Sequence, residues 1–237
     1  MGGHDGAMPE RELTQRVSLT LPDGSLNPQA IGWARRPLLD TSGIGGRHGW
    51  GRNKRWEYWN VVTPTLVLAL TVSSIDYVAI SEVWVLDRAS RRTWGKAVTA
   101  LPARGVRLAD SFGDGPASAR ARDLAIDIAH VDGTVRLRAE IPDVAFDVTV
   151  TRPTDHDCLA VVVPWSRRRF QYTVKDVALP ARGTVTVAGV TQSVPAGESW
   201  AVLDHGRGRW PYDVQWNWGA GSGRCEGLVF GIHLVGT

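Results

Sequence analysis

Lysine is nearly absent from this chain: of its 27 Lys and Arg, only positions 54, 96 and 175 are Lys. Against 24 Asp and Glu the formal charge is just +3. That is far short of the basic stripe that a phosphate backbone requires, so no nucleic-acid partner is expected. Long apolar runs are missing too. The longest, residues 66–72, is interrupted by Thr71 and falls well below the roughly 20 residues that span a bilayer, so the chain is not expected to be an integral membrane protein. Residues 1–16 are polar and Gly-rich, unlike a secretory signal, and the expected location is cytoplasmic. Cysteine is scarce. Cys158 and Cys225 lie far apart with no CxxC spacing, which predicts reduced, buried thiols. No window of about 12 residues has the period of an amphipathic helix.

Tryptophan, by contrast, is abundant: eleven Trp stand against four Phe and four Tyr. Trp50, Trp56 and Trp59 form one cluster, and Trp210, Trp216 and Trp218 another. Single Trp residues suit the core of a β protein, whereas two clusters near Gly-rich turns suit an aromatic-walled pocket. The hydrophobic period is two almost throughout. Val17, Leu19 and Leu21 alternate, as do Leu124, Ile126 and Ile128, and Asp132-Gly133 marks a hairpin into Val135 and Leu137. Segments of five to nine residues recur about every ten, punctuated by Gly, Pro and Asp-Gly. The expected fold is all-β, an antiparallel barrel or strongly curved sandwich with an appended C-terminal hairpin. The expected divisions are a flexible tail (1–12), the barrel (13–205) and the hairpin (206–237). Residues 41–52 and 219–223 are expected to be loops.

Several constellations carry little chemistry. Gly43-Ile44-Gly45-Gly46 lacks the helix whose amides would bind a phosphate. Gly221-Ser222-Gly223 lacks both the spacing and the helix of a nucleophile elbow. The six His show no HxH or HExxH spacing, and Asp155-His156-Asp157 reads as a solvated turn, so no metal and no cofactor are expected. Two segments are harder to dismiss. As a strand, residues 51–60 put Trp56, Tyr58 and Asn60 on one face, with Glu57 and Trp59 on the other. In the second, Asp204 and Arg207 are spaced to pair across a glycine turn, ahead of Trp210-Pro211-Tyr212 and Trp216-Asn217-Trp218.

These segments resemble the domain of unknown function 2804 family. The resemblance rests on Lys54-Arg55-Trp56-x-Tyr58-Trp59, then Val163-Pro164-Trp165-Ser166-x-Arg168-Arg169-Phe170-Gln171-Tyr172, then Leu179-Pro180-Ala181-Arg182-Gly183. The block Asp204-x-Gly206-Arg207-Gly208-x-Trp210-Pro211-Tyr212 with Trp216-Asn217-Trp218-Gly219 and Ser222-Gly223 is similar to the family's most recognisable one, and Asn27-Pro28-x-Ala30-x-Gly32-Trp33-x-Arg35-Arg36-Pro37 agrees. The resemblance runs from about Leu26 to the C-terminus. It implies a distant likeness to lipocalin-like two-barrel proteins, among them carotenoid hydratases, tocopherol-cyclase-like proteins and Diels–Alderases. It implies a cofactor-free cavity for an apolar polyene or polyketide, but assigns no residue a role. Family members continue past the position of Thr237 with a second β-rich half, so the expectation is a truncated or naturally short chain with an incomplete chamber.

Three functions follow. The first is binding of a hydrophobic small molecule (polyene, lipid or polyketide-like) with cofactor-independent hydratase, isomerase or cyclase chemistry, including pericyclase-type. Asp204 and Glu57 are its candidate acids and His205 and Tyr58 its proton relays. Trp56, Trp59, Trp165, Trp210, Tyr212, Trp216, Asn217 and Trp218 are its candidate ligand wall. The second is a carrier or sensor with the same pocket and no turnover. The third is a carbohydrate-binding β-sandwich with exposed Trp platforms. Asp204 and Arg207 are expected to form a structural ion pair, with Gly206 and Gly208 allowing an unusual backbone between them. The apolar strand at 228–235 has no successor, which predicts a homodimer or a partner chain completing the C-terminal β half.

Overall fold

Alternation of apolar with small or polar residues commits most of the chain to strands with one face in a core. A computed structural model describes residues 11–236. Three short strands come first: β1 (Val17–Ser18), β2 (Trp33–Ala34) and β3 (Leu39–Asp40). Four long ones follow: β4 (Asn53–Val62), β5 (Leu66–Ile75), β6 (Val78–Asp87) and β7 (Thr93–Ala100). The next group is β8 (Val106–Arg107), β9 (Ala117–Ala121), β10 (Leu124–Val131), β11 (Thr134–Ile141), β12 (Val144–Thr151) and β13 (Leu159–Ser166). The long β14 (Arg169–Val187), β15 (Val190–Val194), β16 (Trp200–Arg209), β17 (Asn217–Cys225) and β18 (Leu228–Gly236) complete the chain. Of the tail expected at 1–12, residues 1–10 lie outside the described residues. Arg11 and Glu12 are held in the fold: Trp33 donates its amide to Arg11 O, and Glu12 bridges to Trp33.

One 14-stranded sheet runs in the order β7-β6-β5-β4-β16-β14-β12-β11-β10-β9-β8, with β13 and β15 also on β14 and β2 on β13. Its ladders are antiparallel, and it curves until β8 and β9 lie against β5 and β6. Leu66, Leu68, Leu70 and Val72 from one half meet Ile126, Ile128, Leu137 and Val148 from the other in a single core. The fold is thus an all-β, strongly curved half-barrel or sandwich. Its turns use left-handed residues where the sequence supplies Asp-Gly or its like: Asp132 and Gly133 have φ of 42° and 74°, and Glu226 and Gly227 have 50° and 83°. No helix among the described residues is long and apolar enough to cross a membrane.

β14 turns the corner between the two halves. Its first part pairs with β13 and β16, its second with β12 and β15, and the register shifts between Asp176 and Leu179, where Ala178 has φ 57°. A bulge leaves an amide without a ladder partner. The hairpin β17–β18, a separate two-stranded sheet, satisfies it: Ala178 N donates to Ser222 Oγ at 2.8 Å. Gly231 presses on the same bulge, where an added Cβ would lie 2.4 Å from Val177 Cγ2.

Three expectations are corrected here. Residues 219–223 are strand rather than loop, because β18 pairs with them along their whole length. The appended unit starts at Asn217 rather than 206, because β16 continues unbroken to Arg209 as a central strand. Cys225 is exposed on the hairpin and Cys158 only half-buried, although both are free thiols. The hairpin's outer row, Leu228, Phe230, Ile232 and Leu234, is also exposed.

Ser222→Ala tests the anchoring of the hairpin. Losing one hydrogen bond of about 1 kcal/mol is expected to speed amide exchange in 217–236 several-fold. The global unfolding midpoint should barely move. Unchanged exchange in the hairpin would show that Ser222 does not hold it.

Candidate functional site

The alternation of β16 sorts the candidate residues onto two sides of the sheet. Asp204, Gly206 and Gly208 face outward, while His205, Arg207 and Arg209 face the core. On the neighbouring β4, Lys54, Trp56 and Tyr58 share the outer face, and Glu57 and Trp59 the inner one. The first Trp cluster is therefore split: Trp56 lies outward, Trp59 is buried at 1% exposure, and Trp50 is 67% exposed on a loop against Tyr77.

Outward glycine is what makes room for a pocket. The indole of Trp56 lies across Gly206 so closely that an added Cβ would come within 2.1 Å of it. Neither Gly206 nor Gly208 has positive φ, so their role is space rather than backbone freedom. Above this floor the chain leaves β16 through Trp210-Pro211 and returns as the hairpin, enclosing a cavity of about 790 Å³. Its walls include Trp165, Trp210, Trp216 and Trp218, with Ile80, Val161 and Val163. Ring centroids lie 5.6 Å apart for Trp56–Trp210, 5.6 Å for Trp165–Trp210 and 4.8 Å for Trp210–Trp216. The edge-to-face and tilted arrangement makes a concave wall rather than a flat platform.

Two charged groups sit in the floor of this cavity. Lys175 Nζ lies 2.5 Å from Asp204 Oδ1, with side chains 9% and 19% exposed. Trp56 Nε1 also donates to Asp204 Oδ1, at 3.3 Å. Burial lowers the Lys175 pKa even against the opposing pull of Asp204, and the Trp218 ring lies 4.8 Å from the ammonium. Lys175 was not among the residues singled out from sequence, although its rarity as a lysine within an apolar segment was a usable signal. Tyr58 is not part of the cavity lining; it packs edge-on behind Trp218 at 6.1 Å, and burial raises its pKa. Tyr212 is 89% exposed and stacks with Arg52, and Asn217 is exposed outside the cavity.

The expected Asp204–Arg207 pair does not form. Three residues apart on an extended strand, the two side chains leave from opposite faces. Arg207 is instead buried in the core, donating to the carbonyls of Trp56 (2.9 Å), Gly206 (2.9 Å) and Ala109 (3.1 Å). Without a carboxylate in contact, burial lowers its pKa to about 10.

Glu57 and His205 also lie across the sheet from the tryptophan cavity. Glu57 Oε1 accepts from Trp59 Nε1 at 2.9 Å and meets His130 Nε2 at 3.0 Å. His205 is fully buried, edge-on to Phe112 at 4.9 Å, with neither ring nitrogen hydrogen-bonded. His130 and Phe112 line a smaller cavity of about 270 Å³ with Trp59 and Arg152. Arg152 and His156 pair with the buried Asp176. Beyond Glu57, Trp59 and His205, sequence had no signal for this inner cluster, whose members come from six separate segments. Among the described residues no group of three or more His, Cys, Asp or Glu could hold a metal.

Two outcomes are expected. Gly206→Val displaces Trp56 from the floor, so tryptophan emission shifts to the red and stability falls, whereas Gly221→Val meets no neighbour and leaves both unchanged. The second concerns His205, whose pKa burial holds well below its usual value, with nearby Arg207 and His130 acting in the same direction. Its folded pKa is depressed, so its contribution is intact above about pH 6.5 and is lost as pH falls, at up to about 1.4 kcal/mol per pH unit. His205→Leu should flatten the pH dependence of the unfolding midpoint between about pH 6.5 and 5. An unchanged slope would remove His205 as its source.

Comparison with known proteins places this geometry in a family. No curated protein matches the chain. Among solved structures it is similar to a provisionally assigned AttH from Nitrosomonas europaea, with 17% identity and a TM-score of 0.50 over 73% of this chain and 57% of that one. It also matches kievitone hydratase from Nectria haematococca, with 11% identity and a TM-score of 0.46 over 79% of this chain and 62% of that one. The chain thus spans less than two thirds of either protein, and the likeness to the first is one of fold. The family model described as domain of unknown function (DUF2804) matches residues 10–237, and the chain belongs to that family.

Proposed function

We propose that this chain binds a hydrophobic small molecule, a polyene, lipid or polyketide-like compound, in the cavity between its sheet and its C-terminal hairpin. The observation that carries the reading is the wall itself: five tryptophans and several aliphatic side chains around about 790 Å³, within the range of roughly 300–1,000 Å³ typical of small-molecule sites. Among the described residues the paired charges in its lining are Lys175 and Asp204, which suit a ligand with a polar group on an apolar body. A carbohydrate platform is disfavoured because the rings meet edge-to-face around a hollow. Of the candidate acids, Asp204 is the one that faces the ligand space. Hydratase, isomerase or cyclase chemistry would therefore run through Asp204 and not through Glu57, His205 or Tyr58, which lie outside the cavity lining. A carrier or sensor without turnover has its own support, since both Lys175 and Trp56 engage Asp204 and fit it as an anchor. Self-association through the exposed row on β18, or a partner chain completing the β half, belongs to the same reading, as does a cytoplasmic location.

Titration with a conjugated polyene fatty acid tests the binding. It is expected to quench tryptophan emission saturably at one equivalent. Trp165→Ala and Trp216→Ala should each weaken binding about fivefold to tenfold, near the 1–1.4 kcal/mol of one lost aromatic contact. A hexasaccharide should leave the emission unchanged. Saturable quenching by the sugar and none by the polyene would overturn the proposal.

A further inference from the structure

An apolar container has no need of a buried lysine in its floor. A buried ion pair recovers its desolvation cost only with good geometry, and well-packed apolar side chains of similar size often do as well or better. The Lys175–Asp204 pair is therefore poorly explained by stability, and its position at the cavity points to chemistry. Lys175 is 7% exposed and projects outward from β14 beside Leu159 of β13. Its amine is held 2.5 Å from a carboxylate that also reaches the cavity, so acid, base and nucleophile meet the same space. Of the other lysines, Lys96 has a side chain 37% exposed and lies outside the cavity, while Lys54, whose pKa burial also lowers, lines its far end over Trp210 without an ion-pair partner among the described residues. On the hairpin side of Lys175, His233 is half-buried with neither ring nitrogen bonded, a polar group without a partner near the amine. Desolvation favours the neutral, nucleophilic amine that such chemistry uses.

Building on the apolar-ligand reading, we propose that Lys175 forms a reversible imine with a hydrophobic aldehyde or ketone bound in the cavity, with Asp204 as its proton relay. Asp204 takes one proton from the ammonium, and the freed lone pair attacks the carbonyl carbon. The carbonyl π electrons move to oxygen, which takes that proton from Asp204. Asp204 then removes a proton from the new ammonium nitrogen, giving a neutral carbinolamine. The nitrogen lone pair expels the hydroxyl, which leaves as water with the proton returned by Asp204. The net change is ammonium plus carbonyl to iminium plus water, with Asp204 again a carboxylate and no oxidant or reductant consumed.

Having only three lysines makes the test direct. The full chain is treated with substoichiometric decanal, the iminium is trapped with cyanoborohydride, and the alkylated lysine is located by peptide mass mapping. Lys175 is expected to carry at least tenfold more label than Lys96, and Asp204→Asn to slow its labelling at least tenfold. Lys175→Arg, which keeps a cation beside Asp204, should lose the selective label, whereas Lys96→Arg, outside the cavity, should keep both the label on Lys175 and the quenching by the polyene fatty acid. Equal labelling of the three lysines, or preferential labelling of Lys54, with polyene quenching intact overturns the imine and leaves the apolar-ligand reading standing. Loss of both selective labelling and quenching in the unmutated chain overturns both.

Discussion

Strand β16 is buried on both faces, and that constraint organises the molecule. An extended strand sends successive side chains to opposite sides, so the run from Asp204 to Arg209 builds two environments at once. Inward come His205, Arg207 and Arg209; outward come Asp204 and two glycines. The inward arginines act as struts. Arg207 binds the carbonyls of Trp56, Gly206 and Ala109, and Arg209 reaches Asn53, Gly24 and Gly43, fastening the turns around Gly24, Gly43 and Ala109 to the sheet. The outward glycines let Trp56 lie across the strand and so create the floor of the cavity.

The curved sheet and the hairpin divide the work. Aliphatic side chains fill the sheet's concave interior, leaving a small cavity near its mouth beside Glu57, His130 and Arg152. The larger cavity lies on the convex side, where the hairpin covers the tryptophans. What positions that cover is a defect in β14: the bulge at Val177 and Ala178 exposes an amide that Ser222 accepts, with Gly231 close enough to pack against it. A regular β14 would have offered Ser222 no free amide.

Much of this was legible in the residues. Period two gave an all-β antiparallel fold, Asp132-Gly133 gave its hairpin, and the strand from Asn53 to Val62 divides Trp56 from Trp59 as alternation requires. The second tryptophan cluster lines a pocket that Trp56 of the first and Trp165 also reach, while Trp50 and Trp59 lie away from it. The pairings were less legible. Asp204 and Arg207 look like partners at a glycine turn, but the glycines lie in a straight strand. Each charged group found its neighbour across the sheet or in a loop. Residues 219–223 look like a loop because their pairing is supplied by β18 and not by their own side chains.

Sequence by itself determined most of the strands, residues 206–209 and 219–223 excepted, and which residues of a strand share a face, because both follow from local alternation. Only the tertiary structure decided which face is the core and which the pocket, since β16 is covered on both sides and its pattern carries no sign for inside. It alone joined Lys175 to Asp204 and Glu57 to His130. Cross-strand register depends on turns, bulges and the curvature of the whole sheet, which no short window of residues encodes.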